Sequence, residues 1–230
     1  MILSILVPAY NEESSILTLL EALNAVEITD LEVQIVVVND GSTDRTKEII
    51  ESKPELYHKF VNLEQNMGKG GAVREGLSQC KGDYILFQDA DLEYDPQEIP
   101  KLTEVLVKVK PDVLYGSRFL APNVTRVAYF YNKVGNRLIT LFFNILFNTT
   151  FTDIYSCYLC YKRDLVEPQN LKDDGWSQHA EILCKAVKKG KLFYEVPISY
   201  FGRSYEEGKK IRAYHIIGVF ARIFTEKFLK

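Results

Sequence analysis

Apolar, strand-like runs alternate with helix-period segments along the first half of the chain, and this alternation constrains the fold more than any other feature. The strand-like runs are residues 2–7, 33–38, 60–63, 84–88 and 113–115, and the helical patterns between them are 14–23, 43–50, 70–79 and 96–107. Runs rich in Val, Ile and Leu, joined by amphipathic segments, predict a mostly parallel sheet, because parallel strands need long crossovers and are buried on both faces. With 230 residues, 47% of them hydrophobic, the chain can bury one large core. The expected class is α/β, doubly wound, with helices on both faces of the sheet.

Each run is followed by a polar or glycine-containing group: Pro8-Ala9-Tyr10-Asn11-Glu12, Asn39-Asp40-Gly41-Ser42, Asn66-Met67-Gly68-Lys69, Asp89-Ala90-Asp91 and Gly116-Ser117-Arg118. In open parallel sheets ligands bind in the crevice outside the carboxyl ends of the strands. These groups are therefore expected to converge on one site.

Asp89 and Asp91 carry the most specific chemistry. In an extended chain, positions two apart point to the same side, so both carboxylates can share one hard cation such as Mg²⁺ or Mn²⁺. Glu93, two residues further on, can ligate directly or through water. The competing assignment is a turn or a cap for the helix near Pro96. Asp40 ends another apolar run, where its carboxylate can accept hydrogen bonds from a nucleobase and ribose. An Asx turn with Thr43 or Asp44 as N-cap competes with that role and is compatible with it.

Composition removes other classes. Lys and Arg total 28 against 31 Asp and Glu, a formal net charge of -3, which argues against a nucleic-acid binder with a broad basic face. Cys157 and Cys160 form a lone C-x-x-C with no second pair or His set to complete a zinc site, and half-buried thiols are expected there. The chain has no G-x-G-x-x-G after its first strand and no G-x-x-x-x-G-K-[ST] loop, which disfavours dinucleotide oxidoreductases and P-loop enzymes. Sugar nucleotidyltransferases usually carry a glycine-rich basic loop where Pro8-Ala9-Tyr10-Asn11-Glu12 stands. The first residues already read as a strand, without a basic n-region or cleavage site. The longest apolar run, 138–147, is broken by Thr140 and Asn144, too short for a membrane span. A cytoplasmic protein is expected.

After Arg118 the alternation fails. Residues 127–151 read as one or two amphipathic helices. A strand near 154–161, a helix near 177–188, a strand near 191–197 and a final amphipathic helix at 211–228 follow.

Taken together, the segments Val7-Pro8-Ala9-Tyr10-Asn11-Glu12-Glu13, Val38-Asn39-Asp40-Gly41-Ser42-Thr43-Asp44, Gly68-Lys69-Gly70-Gly71-Ala72-Val73-Arg74, Asp89-Ala90-Asp91-Leu92-Glu93-Tyr94-Asp95-Pro96 and Gly116-Ser117-Arg118-Phe119 resemble the family 2 glycosyltransferases of the GT-A fold. The resemblance is stronger to the branch of dolichyl-phosphate mannose synthases and polyprenyl-phosphate sugar transferases. It implies inverting transfer of one sugar from a UDP- or GDP-linked donor. By position, Pro8, Ala9, Tyr10, Glu12 and Asp40 would hold the nucleoside and Lys69 would lie near its phosphates or base. The donor site would also take in Asp89, Ala90, Asp91, Arg203 and Lys209, and the metal set would be Asp89, Asp91 and Glu93. Asp91, Arg118 and Glu181 are the candidate catalytic residues. The sequence departs from the family at Asn39, where a first Asp is usual, and at Ser177-Gln178-His179, which leaves sugar and acceptor preference open.

Arg118, Arg137 and Arg203 are candidates for gripping an acceptor phosphate, since guanidinium groups bind phosphate bidentately. The alternative is a solvated basic rim. The segment 201–210 resembles the donor-covering loop of the polyprenyl-phosphate branch. A lipid phosphate is already ionised near neutral pH, whereas a sugar hydroxyl needs a positioned base, for which Glu181 and His179 are the candidates. Segments 127–151 and 211–224 are apolar, aromatic and basic, which suits a bilayer interface. A helical hairpin packed on the core, or on a second copy in a homo-oligomer, is the alternative. The resulting expectation is a catalytic domain over 1–210, with 127–151 as an acceptor-side, membrane-proximal insertion and 211–230 as a C-terminal helix. The enzyme would transfer to polyprenyl phosphate, peripherally on the cytoplasmic face of a membrane. Transfer to a saccharide hydroxyl, and a non-catalytic nucleotide- or membrane-binding module, are the other two readings.

Overall fold

The unbroken apolar runs become the centre of one sheet, and the amphipathic segments cover it. The computed structural model describes residues 1–121, 124–127, 129–204, 206 and 215–229. The strands are β1 (Ile2–Ala9), β2 (Glu32–Asp40), β3 (Lys59–Leu63), β4 (Tyr84–Phe87), β5 (Val113–Ser117), β6 (Leu159–Lys162) and β7 (Phe193–Pro197). The helices are α1 (Ile16–Asn24), α2 (Thr46–Glu51), α3 (Gly68–Leu77), α4 (Ile99–Val109), α5 (Phe130–Phe147), α6 (Gln178–Lys189) and α7 (His215–Phe228).

Among the described residues the seven strands lie in the order β3-β2-β1-β4-β6-β5-β7. Only β6 runs antiparallel to its neighbours β4 and β5; the other pairings are parallel. Leu6 and Val7 point to opposite faces of β1 and both are inaccessible to solvent, so the sheet is covered on both sides. The expected α/β class and mostly parallel sheet are thus the observed ones. The chain leaves β1 for β2 on one side and returns to β4 on the other, which makes the gap between the tips of β1 and β4 a topological switch point where ligands bind.

Two glycines fix the loops at that end. Gly41 follows Asp40 at φ 62°, and a Cβ there would lie 2.4 Å from the Gln65 carbonyl carbon. At Gly70 a Cβ would lie 1.9 Å from the Asp173 carbonyl oxygen, while its N–H donates to the Asp174 carbonyl at 2.9 Å. Only a glycine lets α3 start this close to the 173–174 segment.

Three expectations shift. The strand foreseen at 154–161 begins only at Leu159, because the backbone bends first: Tyr155 N–H turns back to Asp153 Oδ1 at 3.1 Å, and Ser156 Oγ ties the bend to the distant Gly116 carbonyl. Residues 127–151 contain one 18-residue helix, ended by Asn148 at φ 53°. The Asn144 side chain bonds both the N–H and the carbonyl of Phe151 just beyond that end. The first four residues of the helix expected from Ile211 lie outside the described residues, and α7 is described from His215. All four cysteines are buried and free, and Cys157 and Cys160 are more enclosed than the half-buried thiols expected there. No helix among the described residues is long and apolar enough to cross a membrane.

Candidate active site

A cleft of about 990 Å³ opens at the C-terminal edge of the sheet, and the tips of β1, β2, β4 and β5 all reach it: Pro8, Ala9, Tyr10, Glu12, Asp40, Asp89, Ala90, Asp91 and Arg118 line its walls. The tips of β1 and β2 are cross-bonded. Asn11 N–H donates to Ser42 Oγ at 3.0 Å, Thr43 N–H to Asn11 Oδ1 at 2.8 Å and Glu12 N–H to Thr46 Oγ1 at 2.8 Å. This lattice holds the β1 tip against the turn that presents Asp40.

Asp40 is buried, and its Oδ1 accepts from Met67 N–H at 2.7 Å. Burial raises its pKa, opposed by the N–H groups of Met67 and Gly68 at the start of α3. The turn itself is closed by Asn39, whose Oδ1 accepts from Ser42 N–H at 3.3 Å and whose Nδ2 donates to Asn62 at 2.8 Å. The asparagine at the departure from the family pattern therefore has a structural role.

Lys69, on α3, brings its Nζ 2.7 Å from Asp89 Oδ1 and 5.6 Å from the centre of the Trp176 ring. Burial alone would lower the lysine's pKa; the Asp89 charge outweighs it and lifts the ammonium above its ordinary value. For Asp89, burial raises the pKa, but the Lys69 charge and hydrogen bond prevail and hold the carboxyl below its usual value. Asp91 behaves oppositely: burial, then the charges of Asp89 and Glu93, push its pKa up to about 7. Arg203, 3.0 Å away, offsets this only in part.

This donor set fits a hard divalent cation, which suits one or two carboxylates plus substrate oxygens better than an all-protein cage. Glu93, the expected third ligand, is engaged with the segment across the cleft. Glu93 accepts Tyr200 Oη at 2.6 Å on one oxygen and Arg203 N–H at 2.7 Å on the other. It thereby fastens the 200–203 segment across the cleft, and no group of three or more ligating side chains that could hold a metal occurs among the described residues. Asp89 and Asp91 are the pair that can hold one.

The remaining candidates divide. Arg118 faces the cleft, but Asp153, fully buried, takes its Nε at 2.7 Å and Nη2 at 3.0 Å, and the Tyr155 carbonyl accepts from the same Nη2. Most of its fork is thus committed inside the protein. Arg137 lies at the mouth on α5, its guanidinium 6.0 Å from the Phe119 ring. Arg203 lies over the carboxylates. Lys209 is outside the described residues.

Glu181 is displaced from its expected catalytic role. It is fully buried, it does not line the cleft, and it accepts the backbone N–H groups of Lys172 and Asp173 at 3.1 and 2.9 Å. The cleft is lined instead by Gln178 and His179. Glu181 lies about 200° round the helix from His179, and although it is one turn on from Gln178 its carboxylate is held by the Lys172 and Asp173 N–H groups. His179 has its pKa lowered to about 3, first by burial and then by Lys69, so it is neutral at physiological pH and a weak base.

Trp176, Tyr155 and Tyr200 also line the cleft, and sequence patterns alone did not single out these three. Trp176 was detectable as the lone tryptophan before a helix, but its contact with Lys69 spans the chain. The cleft also takes in side chains of α5 and α7, the apolar Phe130, Ile139, Ile216 and Val219 beside the polar and basic Asn132, Lys133, Asn136, Arg137 and His215. Outside the cleft α5 exposes Leu138, Leu141 and Ile145.

Over residues 4–168 the sequence matches Glycosyl transferase family 2. It is 31% identical over 208 residues to the low-salt glycan biosynthesis hexosyltransferase Agl6 of Haloferax volcanii, covering 89% of this chain and 49% of that protein. It is 32% identical over 222 residues to the dolichyl-phosphate beta-glucosyltransferase of Saccharomyces cerevisiae, covering 86% of this chain and 66% of the relative. The chain thus spans about half to two-thirds of the length of these relatives. Its fold matches the crystal structure of glucosyl-3-phosphoglycerate synthase from Mycobacterium tuberculosis in complex with Mn²⁺, UDP and glucosyl-3-phosphoglycerate. That match has a TM-score of 0.73 at 18% identity over 98% of this chain and 79% of the other.

Proposed function

Because this chain belongs to glycosyl transferase family 2, we propose that it moves one hexose from a UDP- or GDP-linked donor to a polyprenyl phosphate at a membrane surface, with inversion and with Mg²⁺ or Mn²⁺. The observation that carries the proposal is that one cleft brings together the charged set Asp40, Lys69, Asp89 and Asp91 and the mixed apolar and basic side chains that α5 and α7 contribute, among them Phe130, Ile139, Ile216 and Val219 beside Lys133 and Arg137. A charged diphosphate and a lipid-linked phosphate need those two environments side by side.

Asp89 and Asp91 would hold the cation, which when bound neutralises the diphosphate as it departs. Asp40, with the β1 tip residues Pro8, Ala9 and Tyr10, would take the nucleoside. Lys69 would exchange Asp89 for a phosphate oxygen, Arg118 and Arg137 would face the acceptor phosphate, and Arg203 would serve the donor diphosphate as well as the acceptor phosphate. A phosphate monoester is ionised near neutral pH and needs no strong base. That requirement agrees with Glu181 turned into the fold and His179 held neutral. The name of the yeast relative supports a polyprenyl-phosphate acceptor, and the Mn²⁺ and UDP of the mycobacterial structure support the cation and a nucleotide donor. Segment 1–210 would form the catalytic domain, with 127–151 and 211–230 as its membrane-proximal parts on the cytoplasmic face.

A thermal-shift screen tests the donor half, since a ligand that binds only the folded chain raises its melting temperature. A shift with one nucleotide sugar that requires Mn²⁺ is expected; no shift with any of them contradicts the proposal.

A further inference from the structure

Arg203 sits where positive charge is most in demand. Its Nη2 lies 3.0 Å from Asp91 Oδ2, its Nη1 3.6 Å from Glu12 Oε2 and its Nε 3.7 Å from Glu93 Oε1. One guanidinium thus answers carboxylates from the β1 tip and from the segment after β4. Its Nη2 donates a hydrogen bond to that Asp91 oxygen, while its Nε is buried with no hydrogen-bond partner among the described residues, so part of its hold on the carboxylates is charge alone.

The backbone beneath this side chain is fastened independently. Phe201 N–H donates to the Glu93 carbonyl at 3.0 Å, Arg203 N–H to Glu93 Oε1 at 2.7 Å and Arg126 Nη1 to the Gly202 carbonyl at 3.0 Å. The Arg203 side chain can rotate out of the carboxylates without unfastening the 200–203 segment.

We propose that Arg203 is the resident counter-ion of the metal-binding carboxylates, displaced when a divalent cation arrives and then free to turn toward the donor diphosphate. This rests on the assignment of Asp91 as a ligand of that cation. A divalent ion on Asp91 and a guanidinium 3.0 Å from the same carboxylate oxygen repel strongly in a partly buried site, so the two exclude each other. The displaced arginine is then a phosphate-binding fork freed by the metal itself, which makes metal entry a positioning step for the donor.

The test is a titration of Mn²⁺ alone, without donor, into the wild-type protein and its Arg203→Gln and Arg203→Lys variants. Free Mn²⁺ is read by electron paramagnetic resonance, and folding by circular dichroism. Removing one competing unit charge should tighten Mn²⁺ binding by Arg203→Gln by about tenfold or more. Arg203→Lys, which keeps the charge but loses the reach of the fork, should fall between that variant and the wild type, and it decides the matter alone if the glutamine variant does not fold. Without Mn²⁺ the melting temperature of Arg203→Gln should drop, and it should recover when Mn²⁺ is added. Unchanged or weaker binding in the variants, with wild-type binding still abolished by Asp91→Asn, overturns the counter-ion role and leaves the metal assignment standing. Mn²⁺ binding that ignores Asp91→Asn, or no binding by any folded variant, overturns both.

Discussion

Asp153 grips Arg118 through two parallel contacts, Nε to Oδ2 at 2.7 Å and Nη2 to Oδ1 at 3.0 Å, at a site where the carboxylate is fully buried. The pair anchors the end of β5 to the loop before β6 and aims the arginine at the cleft. Removing one partner of a buried pair leaves an uncompensated charge and costs about 3–5 kcal/mol. Asp153→Asn should therefore lower unfolding stability by an amount near that range in urea titration. Loss of activity without loss of stability would show that Asp153 serves the aim of Arg118 more than the fold.

Glu181 gives the converse case. Its carboxylate serves the backbone of Lys172 and Asp173, and losing a buried acceptor costs about 1–3 kcal/mol. Glu181→Gln should lower the melting temperature while leaving turnover per folded molecule close to wild type. A general base would instead cost about 10²–10⁴-fold in kcat, so steady-state kinetics on the folded fraction separates the two roles.

Asp91, with its pKa pushed up to about 7, predicts a pH dependence of fixed sign. In the metal-free protein the folded-state pKa lies above the ordinary carboxyl value of 3.8. Its contribution to stability is then fully present below that value and is lost as pH rises through about 7. A cation must displace the same proton, so Mn²⁺ affinity should rise with pH by up to about tenfold per unit and level off above neutrality. Calorimetric titration of Mn²⁺ between acid and mildly alkaline pH checks this, and the slope should vanish in Asp91→Asn along with the binding.

The outer face of α5 exposes Leu141 and Ile145, which do not line the cleft. If that face rests on lipid, apolar burial contributes to membrane affinity. The double variant Leu141→Glu/Ile145→Glu should then lose co-sedimentation with anionic vesicles, while its nucleotide-sugar thermal shift stays as in the wild type. Retained co-sedimentation would point to another surface.

What could be read in the sequence follows from the range of the interactions. The alternation of apolar runs and helical segments is local, and it translated directly into β1 to β5 and α1 to α4. The strand-end rule brought Asp40, Asp89 and Asp91 to one edge because topology, not packing detail, places them there. Glu181 was misplaced because family position does not give the helical phase that turns it toward residues 172–173. Arg118 looked available because Asp153, 35 residues away, leaves no local signature on it. The engagement of Glu93 leaves no local signature for the same reason: its partners Tyr200 and Arg203 lie more than a hundred residues later, at separations of 107 and 110.

The most direct measurement incubates the protein with Mn²⁺, labelled UDP- and GDP-hexoses and a polyprenyl phosphate, then separates the products by organic extraction. Label should enter the organic phase with one donor, disappear on chelation of the metal and fall by at least about a hundredfold in Asp91→Asn, the scale of losing an electrostatic transition-state contact. Label that stays in the aqueous phase with every donor, or organic product that forms equally well after chelation, would contradict the account.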